Sequence, residues 1–224
     1  MKRYQLKIPL NLRLKNRIWH IKMNLFPHSK RLLDMAISSA ALILLSPLLL
    51  LVVILVKAES KGSAIFKQKR IGLNGEPFTM LKFRSMSNNA ESLRSQLECG
   101  NEMNNGVLFK IKKDPRITRV GAIIRKTSID ELPQLINVLR GDMSLVGPRP
   151  PLPSEVSLYS RSERIRLSVM PGITCLWQIA GRSDIPFEQQ VKLDVDYIER
   201  QSLSLDLIIL IKTIPAVITA RGAY

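Results

Sequence analysis

The chain has 224 residues, and 34 Lys+Arg against 18 Asp+Glu leave a formal net charge of +16, so its partner is expected to be anionic. With 46% hydrophobic and 23% charged residues it can bury a sizeable core, which excludes intrinsic disorder over most of its length. Its 2 cysteines, Cys99 and Cys175, stand far apart, which excludes a zinc ribbon, a redox pair and a disulfide-dense secreted scaffold and fits a reducing compartment.

The charge is concentrated at the start. Residues 1–33 form a basic arm, with Lys2, Arg3, Lys7, Arg13, Lys15, Arg17, Lys22, Lys30 and Arg31 and no acid. Such an arm suits nucleic acid, but residues 35–56 follow at once without an ionisable side chain, and that run points to a membrane instead. Lys57-Ala58-Glu59 then stands where a cleavage site would be needed, so the run reads as an uncleaved anchor, with the arm beside anionic phospholipid headgroups.

The anchor, taken as residues 34–57, is interrupted at Ser46-Pro47, where proline removes a backbone donor and clashes with the preceding turn. A break or kink is expected there. Straight, the run would reach roughly 33 Å and cross a hydrocarbon core of roughly 30 Å, whereas each half reaches only about 14–17 Å. Lys57, Lys61, Lys67, Lys69 and Arg70 follow as densely as basic residues precede, so a re-entrant helix hairpin keeps both flanks cytoplasmic. A kinked spanning helix is the alternative.

Beyond the anchor, residues 58–224 read as one domain. Residues 64–70 and 78–84 are strand-like around Gly72-Leu73-Asn74-Gly75, which predicts a β-hairpin. Residues 88–105 are polar and predict a surface helix and loop. Leu132, Leu135, Ile136 and Leu139 predict an amphipathic helix stopped at Gly141, and Phe187, Val191, Val195 and Ile198 predict another. Residues 207–214 are an apolar run ended by Pro215, either core or an interfacial helix. The pattern fits the α/β class: a membrane-anchored domain with a β-hairpin and amphipathic helices, monotopic and interfacial if the anchor doubles back as a re-entrant hairpin.

Asp130-Glu131 is the first chemical candidate. Ser128-Ile129-Asp130-Glu131 also matches a capping box, in which the acids merely satisfy free amides. Pro133 would then be the fifth helical residue, where it conflicts with the turn, so the helix is expected to begin at Asp130. Two carboxylates there, after Arg125 and Lys126, could serve as an ionised nucleophile and a cation ligand, an arrangement suited to phosphoryl chemistry. Pro148-Arg149-Pro150 is the second candidate: the prolines fix the arginine so that it grips a phosphate, or they form a rigid turn with an exposed cation. Lys82, Arg84 and Arg182 are individually ordinary surface cations. Asp206 is either a helix N-cap or a ligand in an interfacial site.

In order, these residues resemble the bacterial sugar transferases, the monotopic polyprenyl-phosphate phosphoglycosyl transferases. The resemblance rests on the apolar segment broken at Ser46-Pro47, Lys82-Phe83-Arg84-Ser85-Met86, Arg125-Lys126-Thr127-Ser128-Ile129-Asp130-Glu131-Leu132-Pro133-Gln134 and Gly141-Asp142-Met143-Ser144-Leu145-Val146-Gly147-Pro148-Arg149-Pro150. It continues through Pro171-Gly172-Ile173-Thr174, Trp177-Gln178-Ile179-Ala180-Gly181-Arg182-Ser183 and Ser204-Leu205-Asp206-Leu207.

The resemblance implies an enzyme that moves a sugar-1-phosphate from a UDP-sugar to undecaprenyl phosphate, releases UMP and opens exopolysaccharide, capsule or O-antigen synthesis. It places Asp130 as the nucleophile, with Glu131 holding Mg²⁺ beside it, and Lys82, Arg125 and Asp206 as further active-site residues. It sets Arg149, between Pro148 and Pro150, near the nucleotide or phosphates, with Arg84 and Arg182 as weaker carry-overs. It also implies the cytoplasmic face of a bacterial inner membrane, no nucleic acid, and room for downstream glycosyltransferases or a homo-oligomer. Where many members have glycine, this chain has Cys175, expected as a small buried residue; the ending Arg221-Gly222-Ala223-Tyr224 is similar to hexose-transferring relatives. The competing expectation is a catalytically silent membrane-bound scaffold of the same pathway.

Overall fold

In the computed structural model, the residues described are 10–87, 90 and 114–219, with side chains from Phe26 onward except Ser183. The segment expected as a surface helix and loop lies outside them apart from its residue 90, as do Cys99, the chain's last four residues and the side chains of most of the basic arm.

The apolar run and its flanks form a single helix, α1 (Leu10–Glu59), which is the one helix among the described residues long and apolar enough to cross a membrane. It runs through Ser46-Pro47, where a break or kink is expected, as a single helix. Pro47 cannot donate to the Ile43 carbonyl, but the Ser46 hydroxyl does so at 2.8 Å, so the acceptor freed by proline is satisfied within the helix. Leu44 is 79% exposed, and Ile43, Leu50, Leu51 and Ile54 are exposed with it, a surface that water does not favour.

The hairpin follows as expected: β1 (Ile65–Ile71) pairs antiparallel with β2 (Pro77–Phe83), in register from Ile65 opposite Phe83 to Ile71 opposite Pro77. Asn74 (φ 56°) and Gly75 (φ 85°) supply the left-handed turn, which asparagine and glycine tolerate best. Next come α2 (Arg119–Lys126), a 3₁₀ turn at Ile129–Glu131, α3 (Gln134–Arg140) and β3 (Ser144–Val146). After α4 (Pro153–Ser157), β4 (Gly172–Thr174) pairs parallel with β3, and α5 (Leu176–Ala180), α6 (Phe187–Arg200) and α7 (Leu203–Thr219) complete the described fold. The fold is thus a mixed α/β one with two small sheets.

Two apolar clusters hold it together. Met80, Leu135, Val138, Met143, Leu145, Val146, Tyr197 and Ile209 form one, with Ile37, Ala41 and Leu42 of α1 packed against it. Val52, Val56, Ala64, Phe83 and Ile124 form the other, so the two halves of α1 pack on different clusters of the same domain.

Three helix expectations change. Pro133 precedes α3, which begins at Gln134 rather than Asp130; a residue without an N–H is tolerated at a helix start and not inside. Pro215 lies within α7, which continues to Thr219, instead of ending it. On α6 the buried residues are Phe187, Gln190, Asp194 and Tyr197, so the inward face is rotated from the apolar one and includes two polar side chains. On α7 the core reading holds for one side, where Ile209 is fully buried, while Ile211, Ile214 and Ile218 are exposed.

Candidate active site

The dyad does not cap a helix. Ser128 has left-handed backbone (φ 57°) and makes no capping bond, which overturns the capping-box alternative, and Asp130 and Glu131 sit in the 3₁₀ turn between α2 and α3. The left-handed residue reverses the chain after α2, and the turn then presents both carboxylates beside β2. Lys82 on β2 reaches Glu131 at 2.6 Å.

The two acids are set apart electrostatically. Burial works to raise Glu131, but Lys82, reinforced by Arg149 and Arg182, outweighs it and holds the carboxyl below its ordinary range. Burial pushes Asp130 up to about 6 against the pull of Lys82, with Glu131 adding repulsion and Arg125 opposing it. Glu131 is therefore a fixed anion in an ion pair, while Asp130 is a carboxylate that water stabilises poorly and that an electrophile or cation would stabilise.

The Pro-Arg-Pro segment converges on the same place. Pro148 and Pro150 are buried and Arg149 is half-buried, its guanidinium 3.5 Å from Glu155. The Glu155 carboxylate also accepts the Leu152 amide at 2.8 Å. Arg70 donates to the Pro150 carbonyl at 3.0 Å and the Ile71 amide donates to the Pro151 carbonyl, so the hairpin holds the loop as well. Burial pulls the Arg70 guanidinium down to about 9, with the nearby Arg149 adding to the effect and Glu155 and Glu131 opposing it. Gly147 admits the loop: a Cβ there would lie 2.3 Å from the Met170 carbonyl oxygen. Arg182, itself left-handed (φ 54°), points its guanidinium at the Ser128 hydroxyl, 3.4 Å away.

Lys82, Arg125, Arg149 and Arg182 thus act on one pair of carboxylates. Two other candidates are placed elsewhere. Arg84 donates to the carbonyls of Ser60 (2.7 Å) and Lys61 (2.8 Å), at the C-terminal end of α1. Asp206 is 2% exposed and accepts from Lys30 at 2.5 Å and Tyr197 at 2.8 Å. Both donors also bond the Val146 carbonyl, so Asp206 ties α7, α6, β3 and α1 together. It does not cap α7 either, because the Ser202 hydroxyl accepts the Leu205 amide. Cys175 is fully buried and burial raises its thiol, as suits a packing residue.

Sequence reasoning missed Arg70 and Glu155, which orient the Arg149 loop, and the buried pair Arg166–Asp194 at 2.7 Å. Nothing in the local pattern marks Arg70, Arg166 or Asp194, whose partners are remote in the chain, and Glu155 acts within its own segment. No group of three or more His, Cys, Asp or Glu placed to hold a metal occurs among the described residues. The dyad nonetheless fits Mg²⁺, which commonly binds one or two carboxylates and completes its shell with water and substrate phosphates.

An exposed apolar helix is thus joined to a half-buried acidic dyad ringed by cations. The model of the bacterial sugar transferase family matches residues 25–220, and the chain belongs to that family. The exopolysaccharide production protein ExoY of Sinorhizobium fredii is 45% identical over 199 residues, 88% of this chain and 88% of its own. The undecaprenyl-phosphate galactose phosphotransferase of Salmonella typhimurium is 42% identical over 198 residues, 87% of this chain and 41% of its own length. The UDP-glucose:undecaprenyl-phosphate glucose-1-phosphate transferase of Caulobacter vibrioides is 41% identical over 203 residues, covering 87% and 72%.

Proposed function

We propose that this enzyme transfers a sugar-1-phosphate from a UDP-sugar to undecaprenyl phosphate by two displacements at Asp130. The observation that carries the reading is the split dyad: Glu131 is held as an anion by Lys82, which leaves Asp130 as the half-buried carboxylate with raised proton affinity. An Asp130 oxygen attacks the β-phosphorus, the bond to the bridging oxygen breaks and UMP leaves, giving an aspartyl phosphosugar. A phosphate oxygen of the polyprenol then attacks that phosphorus and the Asp130 carboxylate departs, giving the polyprenyl diphosphosugar.

Lys82, Arg125, Arg149 and Arg182 offset the charge of the diphosphate and the repulsion felt by an attacking carboxylate. Arg149, fixed between prolines, suits the nucleotide phosphates. Asp130 and Glu131 would hold Mg²⁺, which supplies Lewis-acid neutralisation of the transferred phosphate.

The acceptor requires a site at headgroup level, and α1 meets that need as a re-entrant anchor. A helix crossing the bilayer would carry its flanks to opposite faces, yet Lys30 bonds Asp206 and Glu59 bonds the amides of Arg119 and Val120, all in one domain. Pro47 is the position at which such a helix would bend. The domain would then lie on the cytoplasmic face of the inner membrane, with the exposed isoleucines of α7 against lipid.

UMP release from a panel of UDP-sugars with Mg²⁺ and undecaprenyl phosphate tests the reaction. Release from one sugar, lost in Asp130→Asn, supports it; release from none by folded protein favours the silent scaffold.

A further inference from the structure

The segment that carries the dyad, residues 127–133, is suspended between α2 and α3, and each of those helices is capped by a different flank of the anchor. At the N-terminus of α2, the Glu59 carboxylate accepts the Arg119 amide at 2.7 Å and the Val120 amide at 3.0 Å. Thr118 takes the next amide, from Gly121, at 3.0 Å. The amides that a helix start leaves without intrahelical partners are thereby filled, most of them by the anchor. At the C-terminus of α3, Arg31 donates to the carbonyls of Val138 and Leu139, the latter at 2.8 Å. These are among the acceptors that a helix end leaves open.

We propose that Glu59 and Arg31 are positioning residues: from the two flanks of α1 they hold the helices on either side of the dyad, and so set the height of Asp130 above the lipid surface. The inference rests on the membrane reading given above. Both helices are short, about 10–12 Å, and rigid on that scale, so a shift at either cap carries through to the dyad. The donor groups move with the dyad: Lys82 is paired to Glu131, Arg182 reaches the Ser128 hydroxyl of the same segment, and Arg125 belongs to α2 itself. Loss of a cap therefore leaves the donor chemistry assembled and misplaces it relative to the lipid phosphate.

The two half-reactions separate these effects. Exchange of labelled UMP into UDP-sugar needs only the donor site, whereas transfer to undecaprenyl phosphate in vesicles of anionic phospholipid needs the membrane register as well. In Glu59→Ala and Arg31→Met, exchange is expected within about threefold of wild type while lipid transfer falls roughly 10- to 100-fold, the scale of a misplacement near 1 Å. Glu59→Asp is expected to recover part of the transfer. Parallel loss of both half-reactions, or loss of neither, overturns the inference. If Glu59→Ala does not fold, Glu59→Gln, which keeps one acceptor, carries the same test.

A second readout is independent of the chemistry. A fluorophore on Thr127→Cys, exposed at the end of α2, in a Cys99→Ser background with Cys175 buried, is quenched by nitroxide lipids according to its depth. Changed quenching in Glu59→Ala supports the positioning role even if wild type exchanges no UMP, which would sink the reaction alone; unchanged quenching contradicts it.

Discussion

Lys82 Nζ lies 2.6 Å from Glu131 Oε1, and it is this pair that makes the two adjacent acids unlike. One carboxylate is committed to a lysine, and the other is left half-buried with its affinity for protons raised. Lys82→Met removes the charge that keeps Glu131 ionised beside Asp130. The expected result is a fall in kcat of roughly 10²–10³, the usual loss of a preorganised electrostatic contact, with a smaller change in KM for the UDP-sugar. Steady-state kinetics in one detergent check it.

Asp130 must be ionised to attack, and burial has moved its titration up to about 6. The rate of the first half-reaction is expected to fall roughly tenfold per pH unit below that value and to level off above about pH 7. Pre-steady-state UMP release between about pH 5 and 8 measures this. A flat profile across that range contradicts the assignment.

Arg166 and Asp194 form a buried pair, with side chains 4% and 1% exposed, and the guanidinium also lies over the rings of Tyr159 and Phe187. Asp194→Ala leaves an uncompensated cation inside, so a loss of about 3–5 kcal/mol is expected from denaturant unfolding of the detergent-solubilised protein. An apolar replacement of both partners, Asp194→Leu with Arg166→Met, is expected to lose less.

Ser128 has left-handed backbone next to the dyad without making a capping bond. Ser128→Gly is expected to leave stability unchanged or raised, and Ser128→Val to lower it by about 1–2 kcal/mol, because a β-branched residue resists that conformation. Thermal unfolding of the two variants distinguishes a required φ from a required hydroxyl.

Much of this was legible in the residues. Asn74-Gly75 announces the hairpin because few other pairs accept its turn, and Asp130, Glu131, Lys82, Arg125, Arg149 and Arg182 stand in motifs of the sequence that the fold brings into electrostatic reach of one another. The helix starts and stops were less legible, because a proline has two tolerated positions. Pro133 falls at a helix start and Pro215 inside α7, and only packing distinguishes them. The inward face of α6 was hidden by its polar members, since Asp194 is matched by Arg166 from a distant loop and burial then costs less than the pattern suggests. For Asp206, an acid before an apolar run reads as a cap or a site ligand, and the cap alternative fails because its partners, Lys30 and Tyr197, come from α1 and α6.

The most direct test of the two-step account is intact-protein mass measurement after mixing the enzyme with its UDP-sugar and Mg²⁺ in the absence of any polyprenyl phosphate. The account predicts one added phosphosugar per chain, mapped by peptide digestion to Asp130, absent in Asp130→Asn and discharged when undecaprenyl phosphate is added. An unmodified chain that releases UMP only when the lipid is present would mean direct transfer from donor to acceptor, and would contradict a covalent role for Asp130.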